Sequence, residues 1–192
     1  MQFYDLVLKN RSYRSFNAAR AVTEEELRML VECARVCPSA ANRQPLRYRL
    51  ICTPAEMTAV LSYTRWAAAL PEWTFPPHGH APTAAIVICH DRAVVESEIV
   101  SATDVGIVAQ TMLLAAAEKG LGGCMIGNFN RASLSKTLAL AENLVPVLVI
   151  ALGEPDEEII LETVGEDGDT KYFRDADGVH HVPKRAKEDL LL

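Results

Sequence analysis

Four cations stand out in a chain whose formal net charge is −6: Arg11 and Arg14 in the first residues, and the adjacent Lys184 and Arg185 far downstream. Two or three cations with hydroxyl and backbone donors form the usual grip on a phosphate monoester, and arginine adds a bidentate geometry that lysine lacks. Taken alone, each cluster is also what a solvated surface looks like.

A second polar segment, Pro38-Ser39-Ala40-Ala41-Asn42-Arg43-Gln44-Pro45, mixes small residues that permit close backbone approach with amides that both donate and accept. Asn42 or Gln44 can match an edge that alternates acceptor and donor, as a flavin ring does at O2, N3–H and O4. A simple loop with helix-capping polar groups stands beside that reading.

Other combinations carry less. Gly120-Leu121-Gly122-Gly123-Cys124-Met125 nearly spells the dinucleotide fingerprint, but it ends on Met and follows a helical pattern where a strand is required. No GxxxxGK[ST] occurs. His78 and His80 are two apart and His180 and His181 adjacent, neither being the i, i+4 spacing that offers two imidazoles to one metal, so no metal site is expected. In Cys89-His90-Asp91 neighbouring side chains on a strand point to opposite faces, so the three read as a core cysteine with polar strand-end residues.

These residues need elements to hold them. Phe3, Leu6 and Val7 share a helical face that stops at Asn10, which delivers Arg11 and Arg14 to a loop. Thr23 and Glu26 form a capping box, and Leu27, Leu30, Val31 and Ala34 carry a helix until Pro38 forbids another turn. A strand is predicted over 48–52, then a helix opened by Thr53-Pro54-Ala55-Glu56. Residues 66–82, with four prolines and Trp73, read as a long loop whose aromatics could cover a ligand. The apolar run 84–89 reads as a strand buried on both faces.

The longest helix is predicted over 98–119, stopped by Gly120, with small Ala102, Gly106 and Ala109 allowing close approach of another helix. A glycine-bearing loop over 122–130, a short helix over 131–140, a buried strand over 145–152 and an acidic, turn-rich tail with a helical end complete the chain.

Helices and strands alternating in this way predict a three-layer α/β/α or α+β arrangement, with strand order left open. The 192 residues, 49% hydrophobic, suit one domain spanning 1–192. The acidic balance argues against nucleic acid as a partner. No apolar run approaching the ~20 residues of a membrane span is read, and five cysteines without a CxxC pair suit a reducing, cytoplasmic compartment.

RSYRSF at 11–16, PSAANRQP at 38–45, GLGGCMIGNF at 120–129 and PKR at 183–185 resemble, in family order, the FMN-dependent nitroreductases. The resemblance implies an α+β, three-layer α/β/α fold with a central mixed β-sheet, and a homodimer with FMN at the subunit interface. Residues 154–192 would be a C-terminal extension packing on the partner subunit.

Arg11 and Ser12 would contact the phosphate and ribityl chain, Arg14 the N1/O2 side of the ring, and Lys184 and Arg185 the phosphate. Pro38, Ser39, Ala40 and Asn42 would come from the partner, with Gln44 in the same loop. Gly127, beside Ile126, stands where some members have a glutamate near flavin N5, which leaves its backbone N–H for that atom.

The implied activity is hydride transfer from NADH or NADPH to flavin N5, followed by reduction of a small electrophilic acceptor in a ping-pong cycle, with no catalytic side chain required. The same motifs also suit a non-catalytic flavin carrier or sensor, or other flavin chemistry such as dehalogenation, enone reduction or flavin fragmentation.

Overall fold

A computed structural model describes residues 2–192. Four strands form the central sheet: β1 (Leu46–Ile51), β2 (Ala84–Asp91), β3 (Gly122–Ile126) and β4 (Leu144–Gly153), in the order β1-β2-β4-β3. Each neighbouring pair runs antiparallel. The parallel component of this sheet is a single bridge between Ser12 and Gly123.

Among the described residues five α-helices surround it: α1 (Phe3–Lys9), α2 (Glu24–Arg35), α3 (Pro54–Ser62), α4 (Glu98–Glu118) and α5 (Arg131–Thr137). All eight residues of β2 are buried, and their alternation divides the core into two layers. Ala84, Ile86 and Ile88 pack with Leu27 and Leu30 of α2 and Val108, Met112 and Ala116 of α4. Ala85, Val87 and Cys89 face the other way, onto Met57 and Val60 of α3 and Leu134 of α5. The sheet is thereby covered on both faces, which makes three layers.

Local signals act where they were read. Thr23 caps α2 with its capping box intact, and Thr53 caps α3 with proline in the first turn. Gly120 at φ +78 closes α4 in a Schellman motif, with Leu121 N–H donating to Ala116 O and Gly120 N–H to Ala117 O. Pro146 sits where β4 pairs with β2 alone, opposite Cys89 beside a register shift at Ile88/Cys89, a place where a strand tolerates a missing N–H.

Three expectations change. Residues 122–126 are the edge strand β3, not a loop, because Gly122 and Gly123 let the backbone run where a side chain would not fit. The tail is not merely turns: β5 (Ile159–Thr163), β6 (Phe173–Arg174) and β7 (His180–Lys184) form a second sheet, β5-β7-β6, parallel in one pair and antiparallel in the other, followed by a 3-10 turn. Pro183 lies past the two residues where β6 pairs, so β7 has a neighbour on one side there.

The third concerns α4. It is long and apolar enough, by length and composition, to cross a bilayer, contrary to the expectation that no such run exists. One face nevertheless packs on the sheet, and Ala109, expected at an interface, is fully buried there. Ile99, Ala102 and Gly106 face outward.

Candidate functional site

The segment after α1 lies along the free edge of β3. Tyr13 N–H donates to Gly123 O at 3.0 Å beside the Ser12 bridge. That close approach needs glycine, since a Cβ on Gly122 would come within 2.4 Å of the Tyr13 ring and one on Gly123 within 2.4 Å of Ala151 O. Held this way, Arg11, Ser12 and Arg14 line a cavity of about 390 Å³ whose other walls include Gln110 of α4, Tyr172, and His180 and Lys184 of β7.

The tail reaches this place through its own contacts with the N-terminal segment. Asn17 N–H donates to Glu154 O and Asp156 N–H to Ser15 O. The Glu157 carboxylate accepts from the N–H groups of Arg14 and Ser15 and forms a buried ion pair with Arg174. That carboxylate is thus committed to holding the tail.

The cavity is consequently cationic. Arg11 donates to Val7 O at 2.7 Å, its Nε is buried with no partner among the described residues, and burial lowers its pKa. Arg14 donates to Ser12 O at 3.1 Å, with its guanidinium 5.1 Å from the centroid of the Tyr172 ring. Among the described residues no carboxylate forms an ion pair with Arg11, Arg14 or Lys184. An anion bearing several acceptor oxygens suits such a place.

A smaller hollow of about 180 Å³ adjoins it, sharing Arg14, Met125 and Tyr172 and reaching Trp66, Ile126 and Gly127. Ile126 is buried in the core below, whereas Gly127 is exposed with nothing within 4 Å of where a Cβ would be. Gly127 therefore offers backbone and room. Trp66 is fixed at this hollow by its Nε1–H, which donates to Thr64 Oγ1 at 2.8 Å. Trp73 and Phe75 of the same loop lie instead against the Arg174 guanidinium.

The 38–45 segment is elsewhere in the chain. Ser39 donates to Asp104 Oδ2 at 2.6 Å, Ala40 N–H donates to Asp104 Oδ1 at 3.1 Å, and Gln44 N–H donates to Ser39 Oγ at 3.0 Å. Gln44 Nε2 also donates to Asn42 Oδ1 at 2.9 Å. Ala41, Asn42 and Gln44 have φ of 49, 52 and 50°, a run of left-handed non-glycine residues that costs free energy and is characteristic of functional loops. Pro38, Ser39 and Gln44 border a separate hollow with Tyr48 and Asp104, while Ala40 and Asn42 are exposed.

The chain thus brings together Arg11, Ser12, Arg14 and Lys184, with Ile126 and Gly127 adjoining, and leaves the 38–45 residues apart. Arg185 lies just past the end of β7 at the exposed surface and does not line the cavity; Lys184 is the last residue of the strand, whose alternate positions face it. The sequence reading missed Gln110, Tyr172 and His180. The same alternation, counted back from Lys184, would have put Val182 and His180 on its face. His90 is structural, as read: its ring nitrogens meet Val95 O at 2.6 Å and Ser101 Oγ at 2.8 Å, and Asp91 holds Asn143 and Arg47.

Comparison with known proteins adds a separate line of argument. The family model described as the Nitroreductase family matches residues 7–154. A protein of Archaeoglobus fulgidus, whose name assigns it provisionally as an NADH dehydrogenase/NAD(P)H nitroreductase, is 27% identical over 158 residues, covering 80% of this chain and 85% of its own. The NADPH-flavin oxidoreductase of Vibrio harveyi is also 27% identical, over 80% of this chain and 65% of its own. Among solved structures, a nitroreductase from Exiguobacterium sibiricum in complex with FMN, itself provisionally named, superposes with a TM-score of 0.69 at 15% identity, over 82% of this chain and 90% of that one. That last likeness is one of fold.

Proposed function

The chain belongs to the nitroreductase family, and on that premise we propose that it is an NAD(P)H-dependent FMN oxidoreductase reducing small electrophilic compounds such as nitroaromatics or quinones. The observation that supports this most is the convergence of Arg11, Arg14 and Lys184, none paired with an acid among the described residues, on one cavity of about 390 Å³. Names of relatives point the same way, one being a NADPH-flavin oxidoreductase.

The residues present fit FMN. Arg11 and Lys184 would hold the phosphate, Ser12 the ribityl chain, and Arg14 the N1/O2 side of the ring, where a cation favours the charge that reduction places there. Arg11 Nε is a buried donor in want of an acceptor. The adjoining hollow at Gly127 gives the reacting edge room beside an exposed backbone, with Trp66 at its wall. When bound, FMN supplies the redox chemistry, taking electrons from NADH or NADPH and passing them to the acceptor in alternating half-reactions.

The reading includes a homodimer. Pro38, Ser39, Ala40, Asn42 and Gln44 lie away from the arginine cavity of their own chain, which suits a loop that completes the partner's site. The outer face of α4 and the neighbouring α1 leave Ile99 85%, Phe3 71% and Tyr4 69% exposed, an apolar surface for a second copy to cover. Residues 154–192 would extend that contact, with Phe173 and Leu190 exposed on them. Five free cysteines suit a cytoplasmic setting.

Purified protein should be yellow, release FMN on heating, and oxidise NADH or NADPH when offered a panel of nitroaromatics and quinones. Colourless protein that takes up no added FMN refutes the proposal. Bound FMN without turnover on any acceptor would restrict it to flavin binding.

A further inference from the structure

Two buried histidines provide an internal contrast. His90 has both ring nitrogens hydrogen-bonded. His180 is 2% exposed, and neither Nδ1 nor Nε2 has a partner among the described residues. Stranding a buried polar ring costs free energy unless something satisfies it. The ring is not loose, since it packs edge-on to Tyr172 with centroids 5.3 Å apart, and it lines the cavity that Arg11, Arg14 and Lys184 share.

Its place along β7 is informative. His180, Val182 and Lys184 all line the cavity from alternate positions of one strand. Four residues of strand separate His180 from Lys184 by roughly 13 Å, so the two mark opposite ends of one elongated ligand. Lys184 is the phosphate end in the reading above, which puts His180 toward the ring, near Arg14. Burial, followed by the charges of Arg14 and Arg174, pushes the His180 pKa down to about 4. At neutral pH it is therefore an uncharged ring with one donor and one acceptor, able to bond a ligand without adding to the charge that Arg14 already supplies.

We propose that His180 is a further ligand-binding residue of this cavity, its ring turning a nitrogen inward to hydrogen-bond the pyrimidine edge of FMN, the polar edge that Arg14 faces in the reading above. The assignment rests on the flavin reading and adds a residue that the family motifs do not include. It concerns binding and orientation only, with no proton or electron passing through the imidazole.

Full-length protein carrying ¹⁵N-labelled histidine rings, stripped of FMN and titrated with it, tests the assignment. The His180 ring signals, identified by their loss in His180→Gln, should shift on saturation, while those of His90 should not. His180→Phe should bind FMN about tenfold more weakly by fluorescence titration, the loss of one ordinary hydrogen bond. Its flavin-free melting temperature should hold or rise, since an apolar ring strands no nitrogen. His180→Gln should recover part of the affinity.

A His180 spectrum unchanged by FMN, or His180→Phe binding FMN within twofold of the parent, overturns the assignment while leaving the flavin reading intact. A parent protein that takes up no FMN overturns both. Should the variants fail to fold, the His180 ring signals are assigned in the parent by correlation to its backbone resonances, and their response to FMN decides.

Discussion

Asp104, in the N-terminal half of α4, accepts a hydrogen bond from the Ser39 hydroxyl at 2.6 Å and another from Ala40 N–H at 3.1 Å. One buried carboxylate thus fixes the start of a loop that runs on through three left-handed residues. Hydrogen bonds to a charged acceptor contribute ~1.5–3 kcal/mol each, and removing the acceptor strands the donors. Asp104→Ala should lower unfolding stability by about 2–3 kcal/mol in urea and weaken FMN retention at the same time. Unchanged midpoints with full FMN occupancy would show that the loop needs no such anchor.

Arg11 and Arg14 should separate in their effects. Arg14→Ala should lower the two-electron potential of bound FMN, because the reduced ring loses more stabilisation than the oxidised one. A shift of ~30 mV corresponds to about 1.4 kcal/mol, the order expected for one cation near a charge. Arg11→Ala should weaken FMN binding with the potential nearly unchanged, because the phosphate keeps its charge on reduction. Titration against a reference dye distinguishes them, and equal shifts would mean the two roles are wrongly divided.

The outer face of α4 gives a test of assembly. Gly106 is exposed and a Cβ there would meet nothing within 4 Å, so the folded chain has room for a large side chain. Gly106→Arg should convert a dimer to monomer in light scattering and reduce FMN content in parallel. A variant still dimeric and fully loaded with FMN would place the interface elsewhere.

Adjacent histidines of β7 should give the stability curve two opposed limbs. Protonated His181 donates from Nδ1 to Glu162 Oε1 at 2.5 Å and from Nε2 to Asp175 Oδ2 at 3.2 Å, and those contacts raise its pKa above 6.5. Its contribution is fully present below the unfolded value and is lost as pH rises through the raised one. For His180, held down to about 4 by burial and then by Arg14 and Arg174, stability is present above about 6.5 and lost as pH falls from there toward 4. In melts from pH 4 to 9, His181→Gln should flatten the alkaline limb and His180→Phe the acid limb. Parallel curves for parent and variants would exclude these residues as the source.

Much of this protein was legible before any contact was known, because caps, stops and a doubly buried strand are local. Thr23, Thr53 and Gly120 act on backbone groups a few residues away, and the continuous apolar run of β2 follows from having both of its faces covered. Of the four cations singled out in the sequence, Arg11, Arg14 and Lys184 line one cavity and Arg185 does not. What the chain could not declare was which distant residues meet.

α4 is apolar around much of its circumference, so periodicity could not say that Ala109 faces the sheet while Ala102 and Gly106 face out; only the sheet lying against it decides that. Likewise, the tail strands are short, and β5 meets β7 across the whole segment 164–179. Pairing of β5 with β7, and the hold of Glu157 on Arg14, bring Tyr172 and His180 to Arg11. Local pattern sets which face of an element is apolar, whereas strand order and register set what that face meets, and these depend on closing loops of many residues against entropy for contacts no short window contains.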